Sequence, residues 1–274
     1  MRKKFQLKTD DQIRKMRVAG LLTAKALRAV RDAVRPGITT LELDQIAEHT
    51  IRSGGGIPNF QLVPGYHHTI CASINSAVVH GIPGNRELRA GDLLSVDCGA
   101  EVDGWNGDSA FSIVVPGLDN ELTRQRRTQS DVCEGSLWAG IAALARAKRL
   151  NEVGVEIEKY ILDRGPYGIL EQYVGHGIGR SMHEDPAVFN YAVRDAGPKV
   201  EPGLCVAIEP MITAGDQKTF VQDDDWTVET SDGSDGAHWE HSVAVHSRGI
   251  WVLTEVDGGL EKLAPYGITP VSLD

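Results

Sequence analysis

The stretch SVDCGAEVDGWNGDSA, Ser95 to Ala110, sets four acids, Asp97, Glu101, Asp103 and Asp108, between apolar flanks in what reads as one β-hairpin. Asp103-Gly104 is a strong signal for a two-residue turn. A loop of that length pairs residue 102 with 105 and residue 99 with 108. Side chains alternate between the faces of a strand. Asp97, Gly99 and Glu101 therefore share a face with Asn106, Asp108 and Ala110. Gly99, opposite Asp108, leaves room beside that carboxylate. Asp97 and Asp108 are diagonal neighbours, roughly 7–8 Å apart, close enough for their side chains to converge. Two unpaired carboxylates there repel and resist burial, and a divalent cation between them removes the conflict. The alternative is a solvent-facing strand face, and a bulge in the turn would break the parity.

The hairpin has an echo further along. GDLLSVD (Gly91–Asp97) and GLCVAIE (Gly203–Glu209) share one plan: a glycine, an apolar run and an acid at the end. HGIP (His80–Pro83) precedes the first, and HEDP (His183–Pro186) precedes the second. A helix pair precedes each strand as well. Ile13, Met16, Leu27, Val30 and Val34 follow helical period from Asp10 to Val34, and Pro36-Gly37 stops that helix. Thr39-x-x-Glu42 is a capping-box pattern opening a second helix through Ile51, ended by Gly54-Gly55-Gly56. A third helix reads from Asn120 to Arg149, and a fourth from Asn151 to Asp163, before Gly165-Pro166. LLSVDCGAEV, WNGDSAFSIVV, LCVAIEPMI and HSVAVHSRGIWVLTEV read as strands. Helix pairs followed by hairpins indicate an α+β layout. We expect one domain over residues 1–274, with an internal pseudo-repeat of about 10–118 and 119–254. Its halves would face each other across a cleft, each offering a strand acid and a histidine.

The whole chain narrows the function classes. At 274 residues it has room for a real core, and a net charge of −10 offers no nucleic-acid surface. The one basic run, Arg2-Lys3-Lys4, reads as a solvated tail. No apolar run approaches the roughly 18 residues of a membrane span, and no apolar segment follows the basic start as in a secretory signal. Cys71, Cys98, Cys133 and Cys205 are widely spaced, which fits reduced thiols in a cytoplasmic protein.

Further candidates for chemistry lie downstream. In YVGHGIGRSMHEDP (Tyr173–Pro186), His176 stands between two glycines, where backbone can pass close to a bound group; a histidine in a glycine turn is the plain alternative. VAIEPM places Glu209 at a strand end, and HWEHSVAV places Glu240 at the head of an apolar strand. A carboxylate in such a place is costly unless paired or metal-bound. Together Asp97, Asp108, Glu209 and Glu240 balance two divalent cations. Oxygen-rich ligation with a single histidine points to a two-metal hydrolytic site, not to a structural zinc.

ICASINSAVVHGIP, SVDCGAEVDGWNGDSA, GHGIGRSMHEDP, AIEPM and HWEHSVAV resemble, in order and spacing, the type I methionine aminopeptidases, from about Met16 to Thr254. The resemblance implies the pita-bread α/β fold: two pseudo-twofold-related halves, with a curved antiparallel sheet covered by helix pairs. It implies a metal-dependent exopeptidase that removes the initiator methionine from nascent proteins whose second residue is small. Water activated by two metals attacks the first peptide bond. Asp97, Asp108 and Glu240 look like ligands of one metal, and Asp108, His176, Glu209 and Glu240 of the other. The ions would be two divalent cations (Co, Mn, Fe, Ni or Zn). His80 and His183 look like catalytic residues that touch substrate, and Glu209 like the proton shuttle. The pocket for the methionine side chain would include Phe60, Tyr66, Cys71, His80, Met182, His183 and Trp226. A monovalent cation (Na or K) is implied near Asn75, Ala77 and Gly236. The partners would be nascent N-termini and the ribosome, with the chain acting as a monomer in the cytoplasm.

Three positions depart from the family pattern. Val63 and His67 stand where a tyrosine and a proline are common, which predicts a wider or more polar pocket rim. Gly236 stands where a serine is usual. His67 and His68 read as surface loop residues, and His49, His238, His241 and His246 carry no family role. The chain lacks an N-terminal C-x-x-C arm and the long insertion that marks the type II relatives. GHGIG followed by HEDP is also shared with prolidases and X-Pro aminopeptidases, which remain the alternative activity. A metal-free binding protein on the same scaffold is the alternative of another class.

Overall fold

Three long helices begin where their caps dictate. In this computed structural model, which describes residues 5–274, Thr9 and Gln12 form a reciprocal capping box that starts α1 (Asp10–Ala33). Thr39 and Glu42 do the same for α2 (Thr40–Ser53), and Asn120 with Thr123 for α3 (Glu121–Leu144). The fourth, α4 (Glu152–Leu162), and a single turn, α5 (Leu260–Leu263), complete the set. The basic run Arg2-Lys3-Lys4 lies outside the described residues. No helix among the described residues is long and apolar enough to cross a membrane.

The strands follow in chain order. The first half contains β1 (Ile57–Pro58), β2 (Ile70–Ile74), β3 (Ala77–Val79), β4 (Leu93–Val102) and β5 (Trp105–Val114). The second contains β6 (Gly168–Ile169), β7 (Gly175–Gly177), β8 (Glu184–Val188), β9 (Cys205–Ile208) and β10 (Met211–Thr213). It continues with β11 (Thr219–Val221), β12 (Val228–Thr230), β13 (Gly236–His238), β14 (Glu240–His246) and β15 (Gly249–Val252). The main antiparallel sheet runs β1-β4-β5-β14-β9-β7-β8, with β2 also on β4 and β15 also on β14. Two three-stranded sheets, β13-β10-β6 and β11-β12-β3, flank it. This is a pita-bread fold.

The opening hairpin takes the two-residue register: Val102 faces Trp105, Gly99 faces Asp108 and Asp97 faces Ala110. Asp103 and Gly104 both adopt positive φ, 51° and 74°, as the turn requires. Leu43, Ile51, Leu94, Val96 and Phe111 fill the space between α1, α2 and this hairpin. Leu137, Ile141, Val206 and Val243 belong to a second core that also holds Val153 and Ile157 of α4. Each such side chain contributes about 1.5–3 kcal/mol on burial. Backbone meets backbone where α1 crosses β5: a Cβ added at Gly107 would lie 2.6 Å from Gly20 Cα.

Two boundaries differ from the sequence expectation. The third helix ends at Leu144, short of Arg149, because the following residues are claimed elsewhere. Glu152 accepts the N–H groups of Lys148 and Arg149, and Arg149 bridges to Lys199. The run LCVAIEPMI is two strands, not one. Pro210 has no N–H to offer a ladder, so β9 ends at Ile208 and β10 joins another sheet.

Candidate metal centre and substrate pocket

The central seam of the main sheet gathers the acids. Asp97 lies on β4, Asp108 on β5 and Glu240 at the head of β14, opposite Ala110. Glu209 occupies the corner between β9 and β10, and His176 is the middle residue of β7. Asp108, Glu240, Glu209 and His176 are all buried, and the open side of Asp97 faces a cavity. Asp108, His176 and Glu240 offer ligand atoms that all lie within 4.8 Å of one another. Glu209 reaches this group through His176, at 3.4 Å.

Such crowding is unfavourable for ionised carboxylates. Burial raises Asp97 from 3.8 to about 7. Burial first, and neighbouring carboxylates second, push Asp108, Glu209 and Glu240 well above their ordinary range. Asp97 Oδ1, Asp108 Oδ1 and Glu240 Oε1 are sealed from solvent without a hydrogen-bond partner. Buried polar atoms are normally satisfied, so oxygens left this way, converging with an imidazole, fit divalent cations. His176 is prepared for the same task. Its Nδ1 lies 3.0 Å from the Gly177 carbonyl, which fixes the ring and leaves Nε2 toward Glu209. Burial, then His183, lowers its pKa to about 3, so it is neutral, as ligation requires.

A cavity of 180 Å³ stands over these groups. Asp97, Asp108, His176, Glu209 and Glu240 line one part of it, and His80 and His183 another. Phe60, Val63, Tyr66, Cys71, Met182 and Trp226 complete the wall. Tyr66 donates its hydroxyl to the Ile70 carbonyl at 2.7 Å and stacks edge-on against Trp226, ring centroids 4.9 Å apart. The wall therefore combines apolar side chains with a cluster of carboxylates. His80 has φ of 60°, a left-handed conformation that costs a non-glycine residue about 1–2 kcal/mol. The strain aims its ring between Tyr173 and the cavity. Burial, then His183, lowers His80 to about 4. His183 stands at the mouth, exposed by area, yet desolvation still lowers its pKa. Its ring lies edge-on to His176, centroids 4.3 Å apart.

Several expectations change. The space over Gly99 is not free: a Cβ there would meet the Asn59 side chain at 2.2 Å. Asn59 fills that room and bonds Asn106, which in turn donates to the Gly179 and Arg180 carbonyls. No local sequence signal marks Asn59. His67 is exposed and outside the cavity, so of the two pocket departures only Val63 reaches the wall. His68 is half-buried, 3.3 Å from Asp44, not a free loop residue. Glu101 is half-buried and away from the cavity. His238 was given no role, yet its Nε2 lies 3.8 Å from Glu209 and has no hydrogen-bond partner. Strand alternation was the available signal, since His238 and Glu240 are two residues apart. His241 and His246 point elsewhere, toward Thr254 and Val271. Asn75 and Gly236 do meet, the Gly236 N–H donating to the Asn75 carbonyl, and Ala77 follows on β3. All four cysteines are free and buried.

Known proteins resemble this chain over most of its length. The profile of metallopeptidase family M24 matches residues 14–247. Methionine aminopeptidase 1 of Mycobacterium tuberculosis is 48% identical over 245 residues, 87% of this chain and 91% of that protein. Methionine aminopeptidase 1 of Bacillus subtilis is 38% identical over 249 residues, 91% and 98% of the two chains. The crystal structure of methionine aminopeptidase from Rickettsia prowazekii superposes with a TM-score of 0.87 at 32% identity, covering 92% of this chain and all of that one. The prolidase from Pyrococcus furiosus shares the fold, with a TM-score of 0.69 at 21% identity over 91% of this chain and 65% of that one. The chain belongs to metallopeptidase family M24, among its methionine aminopeptidases.

Proposed function

We propose that this protein removes the N-terminal methionine from polypeptides whose second residue is small, by hydrolysing the first peptide bond. One observation supports this reading: four carboxylates and a neutral imidazole line the same cavity as Phe60, Tyr66, Cys71, Met182 and Trp226, with Asp108, His176 and Glu240 within 4.8 Å of one another. Asp97, Asp108 and Glu240 would hold one divalent cation, and Asp108, His176, Glu209 and Glu240 a second. Bound there, the cations supply Lewis acidity, making water a nucleophile at neutral pH and polarising the scissile carbonyl.

The chain's own residues do the rest. Phe60, Tyr66, Cys71, Met182 and Trp226 receive the methionine side chain and exclude water from it. His183, neutral at the mouth, donates a hydrogen bond to the carbonyl oxygen as negative charge develops there. His80, held by its strained backbone, bonds the scissile nitrogen or the adjacent main chain. Glu209 takes the proton from the attacking water and passes it to the leaving amine. His238 stands behind Glu209, its neutral Nε2 3.8 Å from the carboxylate and not bonded to it.

The wider reading includes a monovalent cation, Na or K, held by carbonyls at Asn75, Ala77 and Gly236. It includes the pseudo-repeat of the single domain, and a monomer acting in the cytoplasm on chains emerging from the ribosome. The test compares Met-Ala-Ser with Ala-Pro-Ala as substrates, before and after chelation and with Mn²⁺ restored. Metal-dependent cleavage of the first is expected. Preference for the second would assign an X-Pro activity, and activity indifferent to chelation would remove the metal centre.

A further inference from the structure

The two strands that carry Asp108 and Glu240 do not meet in the ordinary way. β5 and β14 pair at Ala110 with Glu240 and at Ser109 with His241. The same register, carried outward, sets Asp108 opposite Ser242 on one side and Ser112 opposite His238 on the other. In a regular antiparallel pair, backbones exchange N–H···O bonds directly. Here a serine hydroxyl stands between them. The Asp108 N–H donates to Ser242 Oγ at 3.0 Å, and Ser242 Oγ donates to the Asp108 carbonyl at 2.8 Å. On the other side, the His238 N–H donates to Ser112 Oγ and Ser112 Oγ donates to the His238 carbonyl, both at 2.9 Å.

Both hydroxyls are shut away from water. Each therefore supplies what the partner's main chain has no other means to obtain. Each thus replaces a direct main-chain bond just beyond the paired residues 109–110 and 240–241. The Asp108 carboxylate has no hydrogen-bond partner at Oδ1. The neighbouring Ser109 main chain bonds the same carboxylate, and Ser242 grips the Asp108 main chain at both polar groups.

We propose that Ser242 is a positioning residue for the metal centre: its hydroxyl, holding the main chain of Asp108, fixes the spacing of the Asp108 and Glu240 carboxylates across the strand gap. This rests on the reading of Asp108 as a ligand of both cations and deepens it. Ser112 is the internal control. It makes the same bridge, but to His238, which holds no cation in that reading.

The experiment titrates Mn²⁺ alone into metal-free wild type, Ser242→Ala, Ser242→Thr and Ser112→Ala, with thermal melting of each. Partners that orient a metal ligand are worth on the order of 10- to 100-fold in affinity. Ser242→Ala is expected to weaken Mn²⁺ binding by that factor, and Ser242→Thr, which keeps the hydroxyl, to restore it to within a few-fold. Ser112→Ala is expected to lower the melting temperature as Ser242→Ala does while retaining Mn²⁺ affinity. Unchanged affinity in Ser242→Ala would overturn the proposal. So would an equal loss in Ser112→Ala, since general loosening would then explain both. Should Ser242→Ala fail to fold, Ser242→Cys keeps the shape with a poorer donor; affinity equal to wild type there would also overturn it. A wild type that binds no Mn²⁺ would remove the metal-centre reading itself, a different failure.

Discussion

Metal binding should be strongly pH-dependent, and the direction follows from the buried acids. Without cations the site keeps protons that ordinary carboxylates lose. Asp97 titrates at about 7, not 3.8, and Asp108, Glu209 and Glu240 are raised well above their ordinary range by burial and by one another. A cation can bind only as those protons leave. A displaced proton makes apparent affinity rise up to tenfold per pH unit while its group is still protonated, so a group at about 7, as Asp97 is, strengthens binding about tenfold between pH 6 and 8, about 1.4 kcal/mol, and the carboxylates raised further add to this. His176 adds nothing in this range, since at about 3 it is already neutral. An imidazole at its ordinary value near 6.5 would give a slope that fades above pH 7; the carboxylates keep it steep. Titration calorimetry with Mn²⁺, in buffers of different ionisation enthalpy, counts the protons directly. At least one should be released at pH 7.5. Release near zero, or an affinity that levels off above pH 6.5, would refute the reasoning.

In the metal-free protein the raised acids favour the fold fully only below their unfolded values near 4, and for Asp97 that contribution is lost as pH rises from about 4 through about 7, the acids raised further losing theirs at higher pH; melting curves at several pH values check this. Buried histidines such as His238 and His241, both held at about 3, act in the opposite direction below pH 6.5, since they stay neutral in the fold while their unfolded counterparts charge. Glu240→Ala should abolish turnover together with bound metal, and full metal occupancy in that variant would disprove its role as a ligand. His183→Ala should lower kcat by about 10²–10³-fold with metal retained, which steady-state kinetics beside metal analysis would check. Gly107→Ala should cost about 1–3 kcal/mol by forcing α1 off β5, read from denaturant unfolding.

The sequence carried the hairpin well because turn chemistry and alternation are local. Asp103-Gly104 sets the register, and the register places Asp97 and Asp108 on one face. Flanking glycines marked His176 and apolar runs marked Glu209 and Glu240, the resemblance assigned their metals, and the fold brings all five to one cavity. What stayed hidden depends on distant partners. Asn59 enters the space over Gly99 from a short 3₁₀ turn that nothing in its neighbourhood marks. The serine bridges are invisible because Ser112 and Ser242 look like ordinary strand residues until β5 and β14 meet. His238 was legible by parity with Glu240, but its approach to Glu209 depends on how two sheets join.

That joining has a consequence of its own. At Pro210 the chain leaves the main sheet for the small one, and after His238 it returns. Glu209 and Glu240 thus sit at two corners of a shared frame, with β10 and β13 as the far side. Substitutions on that far side, at Ile169, Ile212 or Ala237, touch no ligand and no substrate. They can still skew the frame, and a skewed frame moves two carboxylates at once. Loss of activity mapped to those apolar positions would be distortion transmitted through geometry, not chemistry removed.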